Sequence, residues 1–111
     1  KKVYNRLMEI GVENYVELCY GNAFEVHESF KDGSIDLLHV DISNDGNVLS
    51  KIIELWGNKI NENGIILFEG GSKDRDRVEW MMKYDKKAIR HELKNIIKKY
   101  SEKYEYLKYK N

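Results

Sequence analysis

The 111-residue sequence is poor in the features that mark several classes of protein. Cys19 is its single cysteine, which excludes a disulfide framework or a cysteine-based zinc site within one chain. No apolar run approaches the length of a membrane span, and residues 1–6 lack the apolar core of a signal peptide. Proline, internal repeats and low-complexity segments are absent as well. We therefore expect one domain at most, in a reducing, cytoplasmic setting.

The sequence also has no net charge, because 19 basic residues balance 19 acidic ones. The two signs are unevenly distributed: residues 83–111 contain ten basic and four acidic residues, whereas residues 1–82 carry an acidic excess. The basic segment is interpreted either as a solvated helix face or as a patch for a phosphate-bearing substrate or a partner. The acidic excess in residues 1–82 and the lack of a recognisable nucleic-acid-binding motif argue against a nucleic-acid partner.

Two apolar runs, residues 35–40 and 65–68, are the strongest structural signals. Each follows a turn and ends at an acidic residue, Asp41 in the first case and Glu69 in the second. Runs that are apolar at successive positions are typical of strands buried on both faces of a parallel sheet. We therefore predict a three-layer α/β/α fold with a mainly parallel sheet. Asp41 and Glu69 should lie on its carboxyl edge, where open α/β sheets bind ligands.

Hydrophobic spacing and turn signals predict the remaining elements. Helices are expected at about residues 2–10, 24–30, 48–60, 75–84 and 86–99, with further strands at 16–20 and around Tyr104, Tyr106 and Tyr109. The candidate N-caps of the third helix are Ser43, Asn44 and Asp45, and a turn is expected at 61–64. His39, inside the first apolar run, is interpreted as a core histidine rather than a base.

Three short segments carry a family resemblance: Gly21-Asn22-Ala23, His39-Val40-Asp41, and Asn63-Gly64 before residues 65–68. In order and spacing they resemble strands three to five of the class I S-adenosylmethionine-dependent methyltransferases, a Rossmann-like family, and especially its small-molecule O-methyltransferases. The resemblance covers residues 2–72. Residues 73–111 are predicted to add charged helices and the terminal strand.

The family's first two strands, its glycine-rich loop and the acidic residue that binds the ribose have no counterpart in this sequence. No Gly-x-Gly pattern occurs anywhere in it. In the family's sheet order, those two strands lie between the strands matching residues 16–20 and 35–40. We therefore expect the chain to be part of a larger methyltransferase-like domain, or to be completed by a second copy.

The resemblance implies roles for individual residues at the strand ends. Asn22, Ala23, Asp41 and Ile42 would bind the cofactor, and Asp41 would also lie at the reacting centre. Asn22 stands where the family usually has an aspartate that accepts a hydrogen bond from adenine, and an amide oxygen can do the same. The structural alternatives are an Asx turn at Asn22 and a helix N-cap at Asp41.

Glu69 is the weaker candidate, for substrate or for a divalent cation. Carboxylates on adjacent strand ends could share a magnesium ion. The cation-dependent branch of the family has an acid–amide pair at this point, however, and here Gly70 follows Glu69. The missing amide argues against a metal.

The function implied by the resemblance is methyl transfer from S-adenosylmethionine to a small-molecule hydroxyl, with a sugar as one candidate acceptor. The alternative is a noncatalytic α/β interaction module that contacts its partner through the basic C-terminal helices. Whether this chain is an enzyme therefore depends on whether a complete cofactor site is assembled around it.

Overall fold

The computed structural model describes residues 1–107. Its α-helices and strands, in chain order, are α1 (Lys2–Glu9), β1 (Ile35–Val40), α2 (Gly46–Trp56), β2 (Ile60–Phe68), α3 (Glu79–Lys83) and α4 (Ile89–Lys99). Short 3-10 turns occupy Glu13–Tyr15, Val26–Ser29, Gly57–Lys59 and Arg75–Arg77. None of the helices in this part of the chain is long and apolar enough to cross a membrane.

β1 and β2 form a parallel two-stranded sheet, so the predicted α/β class is confirmed. One face of this sheet packs against α2, where Val40, Ile52 and Trp56 form the centre of a core cluster. The opposite face leaves Leu37, Ile65 and Leu67 exposed. The prediction that these strands are buried on both faces was therefore wrong, because no described helix covers this side of the sheet. The three-layer arrangement is not seen in residues 1–107.

The predicted strand at residues 16–20 does not form. Val16 has extended backbone angles, with φ −128° and ψ 121°, but this segment pairs with no strand in the part of the chain that the structure describes. A strand needs hydrogen-bonding partners as well as β-forming residues. Four of its five side chains are accordingly exposed, with Tyr20 the most exposed of the large apolar ones, and Leu18 is half-buried.

The expected turn at residues 61–64 lies inside β2 instead. Ile35 pairs with Ile60 while Leu37 pairs with Ile65, so β2 bulges by several residues at this point. Asn61 closes a local turn within the bulge by accepting a hydrogen bond from the Asn63 amide at 2.9 Å. The turn residues were correctly recognised, but they interrupt the strand rather than precede it.

The other boundaries differ from the prediction by local effects. α1 ends at Glu9, close to the expected Ile10, and Gly11 beyond it adopts the expected left-handed conformation, with φ +72°. α2 begins after Asp45, whose Oδ1 accepts a hydrogen bond from the Asn47 amide at 2.9 Å, and it ends at Trp56 rather than at Ile60. The predicted helix at 24–30 is reduced to a 3-10 turn, and the one at 75–84 is divided by Val78, which is extended.

At the C-terminus, α4 begins at Ile89, three residues later than predicted. No strand forms at Tyr104 or Tyr106, and Tyr109, the third residue of that prediction, lies outside the described residues. α4 packs on α2 through Ile89, which joins Leu49 and Ile53 in a second core cluster.

A carboxylate of α4 predicts how stability depends on pH. The hydrogen bond from Lys87, followed by that from Ser50 at 2.9 Å, holds the pKa of Glu92 below its ordinary value of 4.5. Since the pKa is lower in the folded chain, ionised Glu92 stabilises the fold above the ordinary pKa. This contribution is lost as the pH falls through the folded-state pKa.

Glu92→Gln should therefore make the loss of stability shallower as the pH falls below the ordinary pKa of 4.5. Urea unfolding at a series of pH values measures this, with the exposed Glu102→Gln as control. An acid slope for Glu92→Gln as steep as that of the parent chain would contradict the assignment.

Candidate functional site

The parallel pairing of β1 and β2 brings the two predicted acidic residues to one edge of the sheet. The Glu69 amide donates to the Val40 carbonyl at 3.3 Å, so the strands remain paired up to this edge. Asp41 follows Val40 directly, and both carboxylates are exposed. The predicted location of Asp41 and Glu69 on the carboxyl rim is therefore confirmed.

Asp41 is not a helix N-cap, because Asp45 caps α2. No hydrogen bond or ion pair to the Asp41 carboxylate is found within residues 1–107. An exposed carboxylate at the end of a strand can accept hydrogen bonds from a bound molecule without giving up contacts within the protein. The geometry thus excludes a helix N-cap as the role of Asp41, while its catalytic role stays a prediction.

Glu69 pairs with His39. The distance from His39 Nε2 to Glu69 Oε1 is 2.9 Å, and about half of each side chain is exposed. The interpretation of His39 as a core residue was therefore wrong. His39 points to the uncovered face of the sheet that also carries Leu37 and Leu67, as the two-residue period of a strand requires.

A cavity of about 140 Å³ lies at the C-terminal end of β1. It is lined by Ala23, Leu38, His39, Val40, Ile42, Ile52 and Trp56. Two of these, Ala23 and Ile42, were predicted as cofactor contacts, and the fold brings them together from loops about twenty residues apart. The lining is almost entirely apolar, as is typical of ligand pockets.

Trp56 and Ile52 of α2 complete this cavity and were predicted only as core residues. The Trp56 Nε1–H donates a hydrogen bond to the Ala23 carbonyl at 2.8 Å. This bond fixes the loop at Ala23 against the helix. Their helical spacing indicated burial, but it could not indicate that α2 would cross the end of β1.

Asn22 lies outside the cavity lining and forms the Asx turn that was its structural alternative. Its Oδ1 accepts a hydrogen bond from the Phe24 amide at 3.0 Å. An amide oxygen has two lone pairs, so a second hydrogen bond to a ligand is still available. Asn22 is therefore the neighbour of Ala23 in sequence but does not itself line the cavity.

A metal centre receives no support from geometry in the described part of the chain. No group of three or more His, Cys, Asp or Glu side chains in residues 1–107 could hold a metal ion. Asp41 and Glu69 alone would leave most of the six or more oxygen ligands of a magnesium or calcium ion to other groups. Whether a divalent cation binds at this rim is not tested by the structure, and the expectation from the sequence remains that a metal site is the less favoured interpretation.

These features define an α/β domain with a carboxylate-bearing strand edge next to an apolar cavity. A family model described as a methyltransferase domain matches residues 2–69. The chain belongs to this family, and methyl transfer is the general chemistry that membership supports. Comparisons with curated proteins and with solved structures give no match. The matched span ends at Glu69, so α3 and α4 lie beyond it.

Proposed function

We propose that this chain is part of an S-adenosylmethionine-dependent methyltransferase that is completed within a longer or oligomeric protein. Its acceptor would be a hydroxyl of a small molecule, with a sugar as one candidate. The observation that carries the proposal is the apolar cavity at the end of β1, where Ala23 and Ile42 meet beside exposed Asp41. S-adenosylmethionine would supply an electrophilic methyl group.

The size of the cavity supports a partial site. Pockets that enclose a whole small ligand have volumes of roughly 300–1,000 Å³, whereas this cavity measures about 140 Å³. It can enclose one apolar portion of a cofactor, and other groups must contact the rest. Exposed Leu37, Ile65 and Leu67 on the sheet face give such groups an apolar surface to cover.

The residues of the rim would act by placement and by proton transfer. Methyl transfer requires the donor and acceptor to be held in line, and a hydroxyl acceptor must lose its proton. Asp41 is the proposed proton acceptor because its carboxylate is exposed and lies beside Ile42 of the cavity. Glu69, held by His39, would bind the acceptor, and Asn22 would offer its second lone pair to the adenine amino group.

Titration of S-adenosylhomocysteine into the chain tests the proposal, with the oligomeric state measured in the same buffer. We expect a Kd of about 1 mM or tighter, which corresponds to about −4 kcal/mol. Ile42→Lys should weaken binding at least about tenfold, or about 1.4 kcal/mol, because it replaces an apolar side chain at the cavity wall with a charged, strongly hydrated one. Ile10→Lys is the matched control, since Ile10 and Ile42 are similarly exposed, at 57% and 53%.

Equal affinities for the parent chain and Ile42→Lys would contradict the assignment of the cavity. Absence of binding by a chain shown to be folded would contradict a cofactor site formed by this chain alone. That result would leave either a methyltransferase fragment whose site forms only in the complete protein or the noncatalytic interaction module, for which α4 offers the exposed side chains of Lys94, Lys98 and Lys99. Binding that requires a dimer would support completion of the site by a second copy.

A further inference from the structure

Asn44 is one of three buried polar or charged residues in the described part of the chain, with 7% of its surface exposed. It lies in the loop after β1, three residues beyond Asp41. Its Oδ1 accepts a hydrogen bond from the Gly71 amide at 3.2 Å. Its Nδ2 donates to the Arg75 carbonyl at 3.0 Å and to Asp76 Oδ1 at 3.3 Å. One side chain thus ties the loop after β1 to the segment after β2.

Asp76 extends this connection to α4. Its side chain is 2% exposed, and Arg90 Nε of α4 lies 3.9 Å from its Oδ2. Oδ2 has no hydrogen bond within residues 1–107. A buried carboxylate is costly unless it is paired and hydrogen-bonded, and Asn44 and Arg90 together hold Asp76 in place. The segment beyond the family match is in this way fixed to the rim.

Gly70 shows how closely the chain passes over Asn44. Gly70 has φ +115°, and a Cβ placed on it would lie 2.1 Å from Asn44 Oδ1. Glu69 directly precedes Gly70, so the amide of Asn44 supports the backbone at the point where β2 ends.

We propose that Asn44 is a positioning residue that holds Glu69 in its pair with His39 on the rim. It acts through the backbone at Gly70 and Gly71 and makes no contact with a bound molecule. The use of Glu69 for the acceptor rests on the proposed function. The positioning itself does not, and it can be tested without any ligand.

The hydrogen-bonding partners of Asn44 explain why an amide is required at this position. A carboxylate at position 44 could still accept from the Gly71 amide, but it would face Asp76 Oδ1 and the Arg75 carbonyl, neither of which can donate to it. In the Asn44→Asp variant, the buried carboxylates at positions 44 and 76 would be close enough to repel each other. Exchanging the two groups, with an acid at 44 and an amide at 76, restores one donor and one acceptor.

The imidazole nitrogen signals of His39 in the labelled full chain report the pair directly. Glu69→Ala defines the shift caused by loss of the pair. Asn44→Ala should reproduce at least half of that shift, and it should add little in a chain that already carries Glu69→Ala. The signals of His27 and His91 should stay in place. Asn58→Ala is the control, because its amide donates to Asp32 Oδ1 at 3.2 Å at an exposed site elsewhere.

His39 signals at the parent position in folded Asn44→Ala would overturn the proposal, because a merely structural asparagine would lower the melting temperature without moving them. If Asn44→Ala does not fold, Asn44→Asp and the exchanged pair Asn44→Asp/Asp76→Asn replace it. The exchanged pair should recover part of the parent His39 signal that Asn44→Asp loses, because it removes the repulsion between the two carboxylates while the Arg75 carbonyl still lacks its donor. Failure of S-adenosylhomocysteine to bind would count against the proposed function and leave this result unaffected.

Discussion

Trp56→Ala is expected to lower the free energy of unfolding by about 3–5 kcal/mol, the range for truncating a buried aromatic side chain. Trp56 is 7% exposed and belongs to the cluster between α2 and the sheet. Its ring packs on Phe30 with centroids 5.2 Å apart. Because it also holds Ala23, the variant should weaken S-adenosylhomocysteine binding as well. Urea unfolding and the cofactor titration measure the two effects.

Trp80→Ala is the control for this experiment, because Trp80 is 41% exposed. A side chain with this exposure should give a change well below that of Trp56, on the order of 1 kcal/mol or less. Trp56→Phe separates packing from hydrogen bonding, because it keeps a ring but leaves the Ala23 carbonyl without its donor. The free energy of unfolding should fall by about 1–3 kcal/mol, the cost of leaving a buried carbonyl without a hydrogen bond. Equal losses for Trp56→Ala and Trp80→Ala would contradict the placement of the core.

Gly70→Ala has the second large expected effect. The added Cβ would overlap Asn44 Oδ1, and φ +115° is strained for any residue with a side chain. We expect a loss of about 3 kcal/mol or more, since backbone strain alone is on the order of 1–3 kcal/mol. Gly33→Ala is the control: Gly33 has φ +66°, and a Cβ added there would meet nothing within 4 Å, so strain acts at that position without overlap.

A double-mutant cycle isolates the overlap between Gly70 and Asn44. Gly70→Ala should destabilise the Asn44→Ala chain by less than it destabilises the parent, because the obstructing amide is then gone. Additive changes, measured by urea unfolding of all four chains, would show that strain explains the whole effect. Such a result would contradict the close contact on which the positioning role of Asn44 depends.

Local signals in the sequence predicted the elements whose structure is decided locally. β1 was predicted with its observed bounds, Ile35–Val40, because a turn precedes it and its residues favour strands. Gly11 marked the end of α1 through its left-handed conformation. The strand expected at 16–20 failed because pairing is a tertiary property, and β-forming residues cannot supply a partner.

The candidate site was likewise predictable in part. Position at a strand end indicated Asp41 and Glu69, and the family resemblance indicated Ala23 and Ile42, which do line one cavity. Trp56 was not recognised as part of this cavity because its role depends on how α2 crosses β1.

Two further features of the site were beyond reach of the sequence pattern. His39 was misinterpreted because an apolar run does not reveal which face a helix will cover. Asn44 was considered only as an N-cap, since its partners Gly71 and Asp76 lie about thirty residues away.

The most direct test of the cofactor site is to titrate S-adenosylhomocysteine into the nitrogen-15-labelled chain and map the backbone amide shifts. We expect the largest changes to cluster at Ala23 and Ile42 and to be absent at Asp36 and Glu62, at the opposite end of the sheet. Shifts centred away from the cavity, or none in a folded chain, would contradict the claim that this rim binds the methyl donor.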